Sequence, residues 1–521
     1  MYKFQSKQTT ILDFDMPMGL ELNPNNRWVQ KAATIPWDII EKRYASLFKD
    51  STTGNVAKPV RLVVGALLIQ QQYGFSDEEL VHQIQETHCL QYFCGLPRYS
   101  DTPPFCPSSL VNFRKRITDD IIIEINEMVI AYAQTKLVKK PSKKTNKKSD
   151  NDQDTSSSPN LSGDDNIVAT SSDSSSVEPK PLPTKGTLIV DASCAPQNIR
   201  YPRDLSLLNE SRENLEKMID KLHKISDGKK PRTDRKIARK SYLKVARKRQ
   251  NTKDEIREAI NQQFEFIKND IKIIERYLSL GRELPQKYLN RLNTIREVLK
   301  QQKQMYHNQT HQIPDRIVSL SQPWLRPIYR GKSKAKYEFG AKFIISVEKG
   351  LARLEHTSFD GFNESNYLED IVEKYKKRNG HYPSLLLVDA IFRNKENLKY
   401  CKKHGVEMSG LPLGRPKKDI VPIKKKLKID EIKRVEVERK ISYAKGSFNL
   451  KLIKTKLQPT SKTTIALSIL AMNIAYFSRL IFCLIFDMIK RTIFSVKSCF
   501  EKKYLENISE HIPKICQYWC C

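Results

Sequence analysis

Three acidic residues stand where chemistry on a phosphodiester would need them. Asp191 closes the apolar run TLIVDAS, Asp389 closes SLLLVDA, and Glu438 lies in the helix-forming stretch EIKRVEVERKISYAK, ahead of a strongly periodic apolar segment. A carboxylate ending a short strand of Val, Ile and Leu is held by the sheet yet faces solvent, which suits a metal ligand. Two hard divalent cations roughly 3.5 to 4 Å apart take several oxygen ligands, one of them bridging, and prefer carboxylate to thiolate or imidazole. Each aspartate alone is as readily a turn or N-cap carboxylate. The three in this order favour a two-metal site.

The elements that must hold these residues can be read from periodicity. Strands are expected near 187–192, 337–347, 351–357, 384–389 and 406–409, with helices over 363–380 and 394–403 and a glutamate-bearing helix after them. The order is a three-strand meander followed by alternating helices and strands, a mixed sheet covered on both faces. Thr463 to Phe486 is apolar enough to suggest a membrane span. However, its longest uncharged stretch ends at Ser478 and contains Asn473, so a buried core helix is expected and no membrane partner.

Upstream, 1–138 reads as helical. Lys58 to Tyr73 has apolar residues at helical spacing and ends at Gly74; Ser76 caps SDEELVHQIQET with Glu79 three residues on; Gly95 ends a short third helix; SSLVNFRKRI starts a fourth. Short helices joined by tight turns, one carrying Arg114, Lys115 and Arg116, suit a helix-turn-helix-like DNA module, with a plain bundle of solvated basic residues as the alternative. The stretch 139–186 has almost no large apolar residue and is expected to be a disordered linker.

Charge points to the partner. The 521 residues carry 91 Lys+Arg against 59 Asp+Glu, a formal charge of +32, which attracts polyanions. Drift toward lysine contributes but does not explain the clusters. Eleven Lys or Arg crowd into 229–250, within a helical insertion expected over 205–312; Arg235, Arg239, Lys240, Arg247 and Lys248 would form a phosphate-binding stripe on a long helical hairpin, or else a solvated arm. A second patch, including Arg415, Lys417 and Lys418, lies between two of the proposed metal ligands. The ten cysteines show no C-x-x-C pair and read as reduced thiols. His307 and His311, four apart, read as a surface pair, and the start lacks an apolar signal region.

Several pieces carry a resemblance: RWVQKAATIPW, GFSDEELVHQIQETHCLQYFCGLPRYSDTPPFCPSSLVNFRKRI, IVDASCAPQNIRYPRDLSLLNESRE, QPWLRPIYRGKSKAKYEFGAKF, LLLVDAIFRNKENLKYCKKHGVEMSGLPLGRP and RVEVERKISYAKGSFNLKLIKTKL. Around them the chain resembles the DDE transposases of bacterial insertion sequences, in the large five-type family with an InsH-like N-terminal domain. The last piece is similar to the family's signature of a glutamate followed seven residues later by a lysine, here Glu438 and Lys445. Glu436 is the competing glutamate, but it points roughly 200° away from Glu438 on a helix, whereas seven residues return Lys445 to the same face.

The resemblance implies a multidomain α+β chain. A helical N-terminal DNA-binding domain (1–138) and the linker would precede a ribonuclease-H-like mixed α/β catalytic domain (187–490), with the helical insertion between its first and second strands and a tail at 491–521. It implies two Mg²⁺ ions, with Mn²⁺ substituting, held by Asp191, Asp389 and Glu438, and Lys445 contacting a phosphate. It implies double-stranded DNA as partner, both transposon ends and target, an enzyme that cleaves and joins strands as a homo-oligomer, and a cytoplasmic, nucleoid-associated location. A decayed transposase that only binds DNA, and a nuclease or resolvase of the same fold, remain as alternatives.

Overall fold

The computed structural model describes residues 2–5, 8–48, 55–138, 184–224, 228–329, 337–411 and 421–499. The expected linker falls almost wholly outside them, as do Arg415, Lys417, Lys418 and the tail from 500 onward.

The first described section is helical: α1 (Arg27–Thr34), α2 (Trp37–Ala45), α3 (Val60–Tyr73), α4 (Asp77–Glu86), α5 (His88–Phe93), α6 (Ser109–Arg116) and α7 (Asp119–Val138). The stops are those expected from the residues. Gly74 ends α3 in the left-handed region at φ 73°, and the Ser76 hydroxyl accepts from the Glu79 N–H at 3.1 Å to start α4. Helices α1 and α2, of 8 and 9 residues, were not expected; at two turns each they carry too few apolar repeats to show a period.

The sheet begins with β1 (Thr187–Pro196). Four helices follow, α8 (Asp204–Leu222), α9 (Arg235–Ala246), α10 (Lys253–Ser279) and α11 (Gln286–His307), and then β2 (Pro327–Tyr329), β3 (Tyr337–Glu348) and β4 (Leu351–Ser358). The chain continues through α12 (Leu368–Asn379), β5 (Leu385–Leu387), α13 (Lys395–Lys403), β6 (Glu407–Met408), α14 (Val421–Ser447) and α15 (Gln458–Cys499). Strand order is β2-β3-β1-β5-β6, with β4 on β3. β1 is antiparallel to β3 and parallel to β5, so the sheet is mixed. The short β2 was not anticipated, and β5 is three residues where six were expected, because Val388 leaves the ladder to bond the Ser409 hydroxyl.

Period-two alternation sends the strand side chains into two layers. Leu188, Val190, Ile344, Leu386 and Val388 pack with α12 and α13 through Leu368, Val372 and Cys401. Ile189, Ile345, Val347 and Leu387 pack on the opposite face with Val437 and Ala444 of α14 and Ile465 and Leu470 of α15. The N-terminal helices share this second core, with Val63, Leu67, Leu110 and Ile125 in the same cluster. Two glycines mark close approaches. A Cβ on Gly340 would lie 2.0 Å from the Ala195 carbonyl oxygen, and Lys349–Gly350 turn β3 into β4 with φ of 51° and 79°.

The stretch Gln458–Cys483 is long and apolar enough, by length and composition, to cross a membrane. Protein covers its apolar face instead: Ile465, Leu470, Met472 and Phe477 are fully buried. Asn473 is also buried and closes the polar groups of β4, accepting from the Ala352 N–H at 2.9 Å while donating to the Ala352 carbonyl and to the Asn126 side chain of α7. Gln71 of α3 donates to the Phe448 carbonyl just past α14 and to Ser468 of α15. The first helices therefore brace α14.

The insertion is not the single hairpin expected. Helices α8, α10 and α11 enclose their own core of Leu208, Leu215, Ile219, Ile267, Ile274 and Ile295, and α9 rests on it by Ala238 and Tyr242. Thr252 and Glu255 start α10 with a reciprocal capping box.

Candidate active site

Asp191 and Asp389 follow by two residues a registered pair of the parallel strands β1 and β5, Ile189 opposite Leu387. Since Ile189 faces α14, alternation turns Asp191 toward that helix, while Asp389 lies just past the end of β5. Asp389 and Glu438, both exposed, lie within electrostatic reach of half-buried Asp191. Burial pushes the Asp191 carboxyl up to about 6 and its two acidic neighbours push the same way, while the Ala192 N–H and Arg434 oppose them. Concentrated negative charge of this kind is what a bound cation relieves.

Glu438, rather than Glu436, belongs to this neighbourhood. Glu436 instead lies by Lys440 and Tyr476, on the α15 side of the helix. Arg434, which sequence reasoning missed, sits one turn before Glu438, ion-paired to it at 3.2 Å, and faces Asp191 as well. Its signal was the i, i+4 spacing to Glu438. Lys445 is half-buried on the same helix, seven residues beyond Glu438. Arg393, also missed, reaches across to the carbonyls of Met408, Ser409 and Leu411 and holds the chain leaving β6.

The acidic set suits a hard divalent cation by its chemistry, oxygen donors alone with raised proton affinity at Asp191. Its side chains are turned to protein partners: one Asp191 oxygen accepts from the Ala192 N–H at 2.8 Å, one Asp389 oxygen caps Ala390 at 2.7 Å, and Glu438 pairs with Arg434. Among the described residues no group of three or more His, Cys, Asp or Glu is gathered closely enough to hold a metal ion. Ligation would therefore require these carboxylates to rotate from their present partners.

The basic candidates divide. Arg114 is a tie within the fold, bidentate to Asp77 with a further bond to Gln70 at 2.9 Å. Arg116 stacks on Phe48 at 4.5 Å and bonds Tyr44, which leaves Lys115 as the exposed member of that trio. Arg235 is bidentate to Asp220 and bonds the Glu216 carbonyl, docking α9 on α8. Lys248 pairs with Glu255 at 2.6 Å. Arg239, Lys240 and Arg247 are exposed. His311 binds Asp204 at 3.1 Å, and the described cysteines are free thiols.

Two family models match the chain. A transposase DDE domain matches residues 386–475, which include Asp389, Glu438 and Lys445, and a transposase domain (DUF772) matches residues 19–116. Among curated proteins, the uncharacterized protein ORF8 in the nfe locus of Rhizobium meliloti is 30% identical over 96 residues, 18% of this chain and 45% of that protein. The chain thus spans less than half of that relative's length. No solved structure matches. With a DDE domain over the second aspartate and the glutamate helix, and a transposase domain over the N-terminal helices, the two matches support a DDE transposase of an insertion sequence.

Proposed function

We propose that this chain binds the terminal inverted repeats of its element and catalyses divalent-metal-dependent strand cleavage and strand transfer on DNA. The observation that supports the reading is the electrostatic influence of Asp389 and Glu438 on Asp191, three residues from elements far apart in sequence. A ribonuclease-H-like catalytic domain over 187–490 is supported by the strand order, three antiparallel strands with β5 and β6 added in parallel on the other side of β1.

In this reading Asp191, Asp389 and Glu438 would hold two Mg²⁺ ions, or Mn²⁺. Bound there, the ions supply Lewis acidity for an in-line displacement at phosphorus. The protein's own contribution is placement. The sheet fixes the two aspartates side by side, while α14, braced by Gln71 and Asn449, sets Glu438. Arg434 holds Glu438 toward Asp191, and Lys445 offers a compact positive charge to a phosphate on the same helix face. The N-terminal helices would supply recognition of the ends, the insertion a non-specific grip, and a homo-oligomer would pair two ends in the cytoplasm.

The test is strand joining. Purified protein with an oligonucleotide bearing an element end and a second duplex should cut the end and join its 3′-OH to the target only when Mg²⁺ or Mn²⁺ is present. Binding without cutting would identify a decayed transposase, and cutting without joining a nuclease or resolvase.

A further inference from the structure

A cavity of about 620 Å³ opens between α9, the start of α10 and the β2–β3 ribbon, away from the three carboxylates. That volume is within the range of roughly 300–1,000 Å³ that small organic groups occupy in proteins. One wall is apolar, with Val245, Ala246, Ile256 and Ile260. The other is aromatic, with Tyr201, Tyr337 and Phe339. Tyr329 pairs with Tyr337 and Pro327 with Phe339 across the ribbon, so the four share one face; the two tyrosine rings lie 5.6 Å apart, and Tyr201 stands edge-on to Phe339 at 5.7 Å. Tyr201 and Tyr329 are each 67% exposed and Tyr337 39%. Arg200 and Arg203 line the mouth, and exposed Arg247 lies just past the end of α9.

Three observations select the ligand. Exposed flat rings beside guanidinium groups are the chemistry that stacks a nucleobase and holds its phosphate, and aromatic stacking accepts any base. The ribbon's aromatic face is the face that carries the carboxylates: Tyr337 and Phe339 alternate in step with Ile345, which pairs with Asp191. Ile345 to Phe339 is six residues of strand, about 20 Å, or about six base-pair steps of DNA. We infer that this cavity receives an unpaired nucleobase of the DNA strand lying across the sheet, stacked among Tyr201, Tyr337 and Phe339. The inference rests on the DNA reading above and adds to it that the bound DNA is opened at a position some base pairs from the cut.

The experiment compares a short labelled duplex that is fully paired with the same duplex carrying a single unpaired nucleotide, titrated with the wild-type chain, Tyr201→Ala and Tyr337→Ala. Tyr201 is mostly exposed and Tyr337 partly so, so the variants should fold; thermal melting checks this. The wild type should bind the duplex with the unpaired nucleotide about tenfold more tightly, and each variant should lose most of that preference while binding the paired duplex as the wild type does. Equal wild-type binding to the two duplexes, or a preference untouched by both substitutions, overturns the stacking site alone. Binding to neither duplex overturns the DNA reading and the site with it.

Discussion

Replacing Arg239, Lys240 and Arg247 together by Gln tests the exposed stripe of α9 as a phosphate-binding surface. These three are solvent-facing and have no ion pair among the described residues, whereas Arg235 is consumed by Asp220 and Glu216 and Lys248 by Glu255. Each phosphate contact on duplex DNA contributes about 0.9 to the slope of log affinity against log salt, so losing three should flatten the slope by about 2.7. Over a fourfold rise in salt that difference amounts to about 40-fold, so the triple variant's deficit should be largest in dilute salt and shrink by about that factor as salt rises. Fluorescence anisotropy on a generic duplex across a salt series measures it. Arg235→Gln serves as the contrast: it should leave the slope nearly unchanged and lower the melting temperature, since it undocks α9. A triple variant with the wild-type slope, or an Arg235→Gln variant that loses as much slope as the triple, would refute the assignment of phosphate contacts to the exposed residues.

Asp270, 1% exposed with neither carboxyl oxygen hydrogen-bonded among the described residues, has its proton affinity raised first by burial and then by Glu216, to about 7 against an ordinary 3.8. The unfolded chain therefore gives up this proton more easily than the folded one, and stability falls as pH rises from about 4 to about 7. Asp270→Asn should be more stable than wild type by roughly 2 to 4 kcal/mol above pH 7 and no different near pH 4, in urea melts at the two pH values; equal pH profiles would contradict this. Asn473→Leu leaves the Ala352 N–H and the Asn126 amide without their buried partner and should cost roughly 2 to 5 kcal/mol, read by chemical denaturation, whereas an unchanged midpoint would mean that water replaces it. Arg114→Gln should lower stability by roughly 1 to 3 kcal/mol with DNA affinity unchanged once folding is accounted for. A loss of affinity at wild-type melting temperature would return Arg114 to the DNA interface.

Much of the site was legible because its signals are local. Asp191 and Asp389 end apolar runs, and the nearly two complete helical turns between Glu438 and Lys445 separate Glu438 from Glu436. The boundaries set by Gly74, Ser76, Gly380 and Asn394 were legible for the same reason, since caps act within one turn. What escaped depends on partners distant in sequence. Nothing in FRKRI shows that Arg114 belongs to Asp77 and Gln70, or in RTDRK that Arg235 belongs to Asp220, so charge runs overstated the available cations. The short α1, α2 and β2 lack the length to display a period. The insertion was expected as one hairpin because charged residues dominate 228–250, while the apolar positions of α8, α10 and α11 that close a separate core are spread over some ninety residues. Asn473 argued against a membrane span from sequence, yet its role in closing β4 needed the strand beside it.

The central claim is that Asp191, Asp389 and Glu438 act as one metal-binding catalytic set, and the closest test separates the two glutamates of α14. Strand cleavage and joining should be measured with Mg²⁺ for wild type, Glu438→Gln and Glu436→Gln, alongside DNA binding by each. Glu438→Gln should abolish both chemical steps and bind element ends as the wild type does, because it removes a ligand and leaves the DNA-contacting surface; Glu436→Gln should retain activity. Full activity in Glu438→Gln, or loss confined to Glu436→Gln, would contradict the account.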